Sequence, residues 1–165
     1  MVTRAVLVAT LALTVVAVAD VLRRDELGPR MTAWYLLLFT LLFVLRVVGQ
    51  VFVVLRAPAW APPKEEWNLM PYRLLLPIQL VFVVVLLAIV AGLASREGPL
   101  AERHPSFGSF LIGLGAVYAG SMVVRYAVRM RRRPGERWFG GAIPIVFHVV
   151  LAGFLVTWGS YHVHS

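Results

Sequence analysis

Residues 32–55 read TAWYLLLFTLLFVLRVVGQVFVVL, a stretch in which Arg46 is the one charged side chain. As an α-helix this stretch is about 36 Å long, whereas the hydrocarbon core of a bilayer is about 30 Å thick. A soluble helix of that length would carry charged residues along one face, which this stretch does not. The pattern therefore predicts a helix that crosses a membrane.

Four other segments share this character and are bounded by charged residues, proline or glycine. They are residues 5–22, 71–94, 109–128 and 143–161. Five spans of about 20 residues use about 100 positions, which leaves room for loops but not for a separate soluble domain. We therefore predict an all-α integral membrane protein, a single membrane domain over residues 1–165 with five transmembrane helices in a compact bundle.

The first segment has an alternative interpretation. Arg4, the apolar run 5–16 and the small residues 17–19 before Asp20 resemble a secretory signal with its cleavage site. Cleavage there would leave four spans. We expect the uncleaved helix, because cleaved signals are uncommon ahead of multi-pass membrane proteins. The remaining spans keep the same orientation in both cases.

The overall composition agrees with a membrane protein and excludes several other classes. Hydrophobic residues make up 60% of the chain and charged residues 15%, against about half and a quarter in soluble domains. The net charge is +8, but the arginines are scattered between apolar stretches and form no basic groove, so no nucleic-acid partner is predicted. The absence of cysteine excludes disulfides, iron–sulfur clusters and thiolate zinc sites.

The distribution of basic residues predicts the orientation in the cell membrane. With the N-terminus inside, the inner side carries Arg4, Arg56, Lys64, Arg73, Arg129, Arg131, Arg132, Arg133 and Arg137, nine residues. The outer side carries Arg23, Arg24, Arg30, Arg96 and Arg103, five residues. The positive-inside rule then predicts a cytoplasmic N-terminus and an external C-terminus. Trp34, Tyr35, Trp158 and Tyr161 would form an outer aromatic belt.

Arg46 is the most informative polar residue within a span. It lies ten residues before Arg56, roughly 15 Å from the inner end of its helix, which is farther than a side chain comfortably reaches. An arginine at the centre of a span costs about 2.5–3.5 kcal/mol on insertion, so its guanidinium needs a partner. Gln50 lies one turn further along the same face.

Other polar side chains are predicted at the same depth. The fourth span has a stripe at i, i+4 spacing that includes Tyr118, Ser121 and Arg125. No carboxylate occurs inside the last four spans. We therefore predict an inner-leaflet pocket that binds an anionic lipid or a quinone. Its predicted ligand-binding residues are Arg46, Gln50, Arg73, Gln79, Ser121, Arg125 and His148. The alternative is that most of the arginines extend to the inner surface, while Arg46 pairs with Gln79 or a backbone carbonyl.

The histidines argue against haem and give only weak evidence for a metal. His148 and His162 would be roughly 21 Å apart on one helix, so they cannot ligate the same iron. His148 suits a quinone better, as hydrogen-bond donor or proton carrier, and otherwise serves as an interhelical hydrogen-bonding residue. A metal site built from His104, His162 and His164 is a weak candidate, because we expect the C-terminus to be a solvated tail.

These observations favour a membrane-anchor or accessory subunit that binds a lipid-like ligand. Its partner candidates are membrane lipid and a partner membrane subunit. Small residues on the fourth span, such as Gly113, Gly115 and Gly120, allow close helix packing, which we expect to be internal. One alternative is a membrane-embedded enzyme acting on an isoprenoid or lipid, with Glu65 or Glu66 as acid or base and His148 assisting. A second is a small transporter, which the lack of intramembrane acids disfavours.

Overall fold

Five helices account for most of the chain in the computed structural model, which describes residues 2–56, 72–96, 98–132 and 142–164. They are α1 (Val2–Leu22), α2 (Pro29–Arg56), α3 (Tyr72–Ser95), α4 (Pro105–Arg132) and α5 (Ala142–Val163). Each is long and apolar enough to cross a membrane. The prediction of an all-helical, five-span bundle is confirmed, and the helix ends differ from the predicted segments by four residues at most.

Consecutive helices run in opposite directions. α2 and α4 both begin at a proline, which suits the first turn of a helix because its backbone nitrogen needs no acceptor there. α3 ends at a turn in which Arg96 and Gly98 have φ values of 60° and 83°, the left-handed conformation common after a helix.

Because the helix directions alternate, the last residue of α2, Arg56, and His162 near the end of α5 lie at opposite ends of the bundle. We name the two ends by these residues.

α5 is the central helix of the bundle. It packs against α1, α2 and α4, whereas α3 packs against α2. In α5, 67% of the apolar span is buried, against 44% or less in every other helix. Val150, Phe154 and Ile143 are 2% exposed or less. A helix that is apolar on all faces requires neighbours or lipid on all of them, and α5 is covered mainly by protein.

The α4–α5 interface brings two backbones into contact. A Cβ atom on Gly108 would lie 2.6 Å from the carbonyl oxygen of Gly159, and one on Gly159 would lie 2.7 Å from the oxygen of Gly108. Gly115, two turns further along α4, faces the backbone of Ala152 in the same way. Small residues that let helices approach closely are typical of membrane bundles, where packing replaces the hydrophobic effect.

Two glycines that the sequence suggested for packing lie elsewhere. A Cβ atom on Gly113 or Gly120 would meet nothing within 4 Å. The face of α4 that packs against α5 is therefore the one with Gly108 and Gly115, spaced by seven residues.

Several hydroxyl groups within the spans are satisfied by their own helix. Thr14 donates to the carbonyl of Thr10 at 2.8 Å, and Thr40 donates to that of Leu36 at 2.7 Å. Both threonines are buried. Because this i to i−4 hydrogen bond needs no other residue, these threonines give no indication of a binding site.

The close α4–α5 contact gives a direct prediction. Gly108→Ala should lower the thermal stability, because the new methyl group meets backbone rather than a flexible side chain, and overpacking of this kind costs about 1–3 kcal/mol. Gly113→Ala, on the same helix but in open space, is the matched control and should leave stability unchanged or raise it. Thermal unfolding followed by tryptophan fluorescence in detergent measures both. Equal melting temperatures for the two variants would contradict the packing described.

Candidate functional site

Arg46 is a buried cation in the middle of α2. Its side chain is 6% exposed, and the residue lies about 15 Å along the helix from Arg56. The guanidinium carbon is 5.9 Å from the centroid of the Phe147 ring on α5. An aromatic face at that distance attracts a cation, and more strongly away from water. Phe147 therefore helps to hold Arg46 against the central helix.

An apolar cavity of about 180 Å³ adjoins Arg46 between α1, α2 and α5. Its lining consists of Thr3, Val6, Leu7, Leu45, Arg46, Gly49, Phe52, Val53, Ile143 and Phe147. Arg46 is the one charged residue in this lining, and Thr3 is the other polar one. Val6, Leu45 and Phe52 are 40–49% exposed, so the cavity reaches the outer surface of the bundle. The arrangement offers space for an apolar chain beside a guanidinium.

His148 and Tyr118 form a second polar group, which does not line the cavity beside Arg46. Their ring centroids are 5.6 Å apart, with Tyr118 on α4 and His148 on α5. Nδ1 of His148 bonds to the carbonyl of Pro144 in its own helix. When Nδ1 donates this bond, Nε2 is left as an acceptor. The positive charges of Arg46 and Arg125 both act on Tyr118 and His148, so the four residues are electrostatic neighbours.

Gln50 and Gln79 form a buried amide pair that joins α2 to α3. Nε2 of Gln79 donates to Oε1 of Gln50 at 3.1 Å, and the two residues are 3% and 1% exposed, respectively. Among the described residues, Nε2 of Gln50 and Oε1 of Gln79 have no hydrogen-bond partner. Neither glutamine lines the cavity beside Arg46. This pair therefore holds α3 in place and lies apart from the cavity.

The remaining predicted residues lie on exposed faces. Arg73 is exposed near the beginning of α3. Ser121 is exposed on α4 and donates to the carbonyl of Tyr118 in its own helix at 2.7 Å. Arg125 is also exposed, although its charge acts on Tyr118 and His148.

The predicted pocket is thus divided into separate groups. Arg46 lies beside the cavity, Gln50 pairs with Gln79, and His148 packs against Tyr118. Glu65 and Glu66, the acids predicted for an enzyme, fall outside the described residues.

Two aromatic residues near Arg46 were not among the predicted ligand-binding residues. Tyr118 stands out in the sequence through its i, i+7 spacing to Arg125. Phe147 has no comparable signal, because one more aromatic residue in an apolar helix says nothing about which way it faces. The contribution of α1 to the cavity, through Thr3, Val6 and Leu7, was also unpredicted.

The histidines at the C-terminal end of α5 differ from the expected solvated tail. α5 continues to Val163, and His162 is only 2% exposed. The backbone N–H of His104 donates to Nδ1 of His162 at 3.2 Å, which satisfies a donor just before the first turn of α4. His164, just past the end of α5, instead bonds to the carbonyl of Ser160 at 2.8 Å. The described residues contain no group of three or more metal-ligating side chains.

Further contacts at this end hold the loops together. The hydroxyl of Tyr161 donates to the carbonyl of Ala101 at 2.6 Å. Arg103 donates to the carbonyl of Leu27 at 2.8 Å, and its guanidinium carbon lies 4.9 Å from the centroid of the Tyr161 ring. These bonds connect α5, the loop before α4 and the loop after α1. Tyr161 and Arg103 therefore have a structural role at the His162 end.

Comparisons with protein-family models, with curated proteins and with solved structures found no match to this chain. The chemistry of Arg46 and its surroundings is therefore the basis on which a function is assigned.

The amide pair can be tested by a double-mutant cycle. Gln79→Leu should lower the unfolding free energy by about 1–3 kcal/mol, because Gln50 then loses its only partner among the described residues. The double variant Gln50→Leu/Gln79→Leu should be less destabilised than the two single effects combined, since no buried amide remains. Denaturant unfolding in mixed micelles measures the cycle. Additive effects would contradict a direct pairing.

The two C-terminal histidines should differ in their contribution to stability. His162→Leu removes the acceptor of the His104 N–H and should cost about 1–3 kcal/mol, whereas His164→Leu removes only the bond to Ser160. Thermal unfolding of both variants provides the comparison. A His164→Leu variant as destabilised as His162→Leu would show that His162 does not hold α4 in this way.

Proposed function

We propose that this chain is a membrane-anchor or accessory subunit that binds a membrane-soluble ligand in the cavity beside Arg46. The ligand has an apolar tail and an anionic or carbonyl head, as an anionic lipid or a quinone does. The observation that carries this proposal is that Arg46, a residue only 6% exposed, lines a cavity that is otherwise almost entirely apolar.

The guanidinium determines what kind of head group suits the site. It has five N–H donors in a planar fork, and this geometry binds phosphate or carboxylate through two parallel bonds. All four carboxylates of the described residues, Asp20, Asp25, Glu26 and Glu102, lie toward the His162 end. An acceptor supplied by a ligand at the depth of Arg46 therefore fits the charge of the site.

The rest of the lining determines what kind of tail suits it. Val6, Leu7, Leu45, Phe52 and Phe147 are apolar, and the outer members of this set are partly exposed. In a bilayer an opening at that position faces acyl chains, so a ligand enters sideways from the lipid. Pockets that combine an apolar lining with one polar anchor take ligands of this amphipathic kind.

His148 favours a quinone over an anionic lipid as the ligand. Its Nε2 is an acceptor in the tautomer that donates to Pro144, so it suits the hydroxyl of a reduced quinone and not a phosphate, which has no proton to give. A quinone that binds Arg46 and also reaches His148 would be held by two polar side chains. An anionic lipid would depend on Arg46 alone.

The enzyme and transporter alternatives remain predictions. Glu65 and Glu66 would have to act as acid or base for an enzyme, and both lie outside the described residues.

The test is the content of co-purifying ligand in matched variants. Arg46→Ala should lower the amount of one bound quinone or phospholipid about tenfold or more, since a hydrogen bond to a charged group contributes about 1.5–3 kcal/mol. Arg73→Ala, which removes an exposed arginine, is the control and should retain the ligand. Organic extraction of the purified proteins followed by mass spectrometry identifies and quantifies the ligand.

Two further variants refine the outcome. Arg46→Lys keeps the charge but loses the planar fork, so it should retain part of the ligand. His148→Ala should release a quinone and leave a phospholipid in place. Unchanged ligand in a folded Arg46→Ala variant, or equal loss in Arg73→Ala, would refute the proposal.

A further inference from the structure

A second recess lies between α1 and α2 in the half of the bundle toward the His162 end. It is a groove of about 500 Å³ with apolar walls that include Leu13, Val16 and Leu38. Asp20, Arg23 and Tyr35 line it as well. It is separate from the cavity beside Arg46, with which it shares no lining residue. A groove open to the side of a membrane-spanning bundle is filled by lipid. Its polar residues determine which lipid binds preferentially.

The carboxylate of Asp20 is held in place by hydrogen bonds to one of its two oxygens. Arg24 donates to its Oδ2 from Nε at 3.0 Å and from Nη2 at 2.8 Å, and the Tyr35 hydroxyl donates to the same oxygen. The hydrogen bond with Asp20 raises the pKa of the Arg24 guanidinium, so Arg24 stays charged. All three bonds use Oδ2, and the Asp20 side chain is 43% exposed. Oδ1 therefore remains available to a donor from outside the protein.

Arg23 supplies a positive charge beside this carboxylate. It is exposed, lines the groove and acts electrostatically on Asp20. The groove thus presents one acceptor for a cation and one donor for an anion, side by side. A zwitterionic head group has the complementary pair of charges.

The depth of these charges matches that of lipid head groups. Trp34, next to Tyr35, is 63% exposed, and exposed tryptophan is enriched at the membrane–water interface. Asp20 lies two residues before the end of α1, whereas Leu13 lies roughly 10 Å deeper along the same helix. The charged part of the groove is therefore at interface level and its apolar part runs into the hydrocarbon.

We infer that this groove binds a phospholipid whose head group carries a primary amine. The ammonium donates to Asp20, the phosphate accepts from Arg23, and an acyl chain lies along Leu13, Val16 and Leu38. A primary ammonium has N–H donors for the carboxylate, whereas the quaternary ammonium of phosphatidylcholine has none. Phosphatidylglycerol has no cation and would place only neutral hydroxyl groups beside Asp20, so it forms no ion pair there. This inference does not depend on the function proposed for Arg46.

The experiment is native mass spectrometry of the purified chain with an equimolar mixture of phosphatidylethanolamine, phosphatidylcholine and phosphatidylglycerol with identical acyl chains. The unmodified chain should carry about threefold more phosphatidylethanolamine than phosphatidylcholine, a ratio in the range expected for a partly exposed ion pair. Asp20→Asn should abolish this preference. Asp25→Asn, which changes a nearby carboxylate outside the groove, is the matched control and should keep it.

Two more variants separate lipid binding from the internal ion pair. Arg24→Gln removes the partner of Asp20 but leaves the carboxylate, so the preference should remain. Arg23→Gln should lower the adducts of phosphatidylethanolamine and phosphatidylcholine alike, and it gives a test that stands even if Asp20→Asn does not fold. Arg46→Ala should leave the preference unchanged, which distinguishes this site from the other.

Several results would overturn the inference. They are equal adducts of the three lipids on the unmodified chain, a preference for phosphatidylglycerol, and a loss of preference in Asp25→Asn equal to that in Asp20→Asn. Formation of a dimer that excludes lipid adducts would also overturn it, because the groove would then be covered by a second copy.

Discussion

No water is present in the hydrocarbon core of a bilayer, so every polar side chain within the five helices must be satisfied by protein or by a ligand. The polar side chains differ in how they meet this constraint. Thr14 and Thr40 bond to their own helices, and Gln50 pairs with Gln79. Arg46 differs from them because it brings a full charge and five donors to the middle of a span. The site proposed here follows from that difference.

The cavity beside Arg46 and the groove beside Asp20 both arise from the way α1 and α2 pack on α5. Each of these helices packs extensively on α5, but they make few contacts with each other. The space between them forms the cavity beside Arg46 in one half and the groove beside Asp20 in the other. On the opposite side, Gly108 and Gly159 bring α4 so close to α5 that the two backbones touch. Both sites therefore lie where the packing around α5 is open, between α1 and α2, and not at the close α4–α5 contact.

Hydropathy predicts the five spans well because it depends only on composition along the chain. The number of residues between Arg46 and Arg56 predicts how deep Arg46 lies in the membrane, and in the structure Arg46 is buried. Rotation of the helices is not predictable in the same way, because α5 is apolar on all sides and has no polar face to mark its orientation. For this reason the sequence did not show that Phe147 meets Arg46 or that His162 is buried.

The most direct measurement of the central claim is a high-resolution structure of the chain crystallised from a lipidic mesophase supplemented with native membrane lipid extract. The account predicts elongated density in the cavity between α1, α2 and α5, with its polar end within hydrogen-bonding distance of the Arg46 guanidinium. A cavity closed by protein side chains, with the guanidinium bonded to protein groups alone, would contradict it.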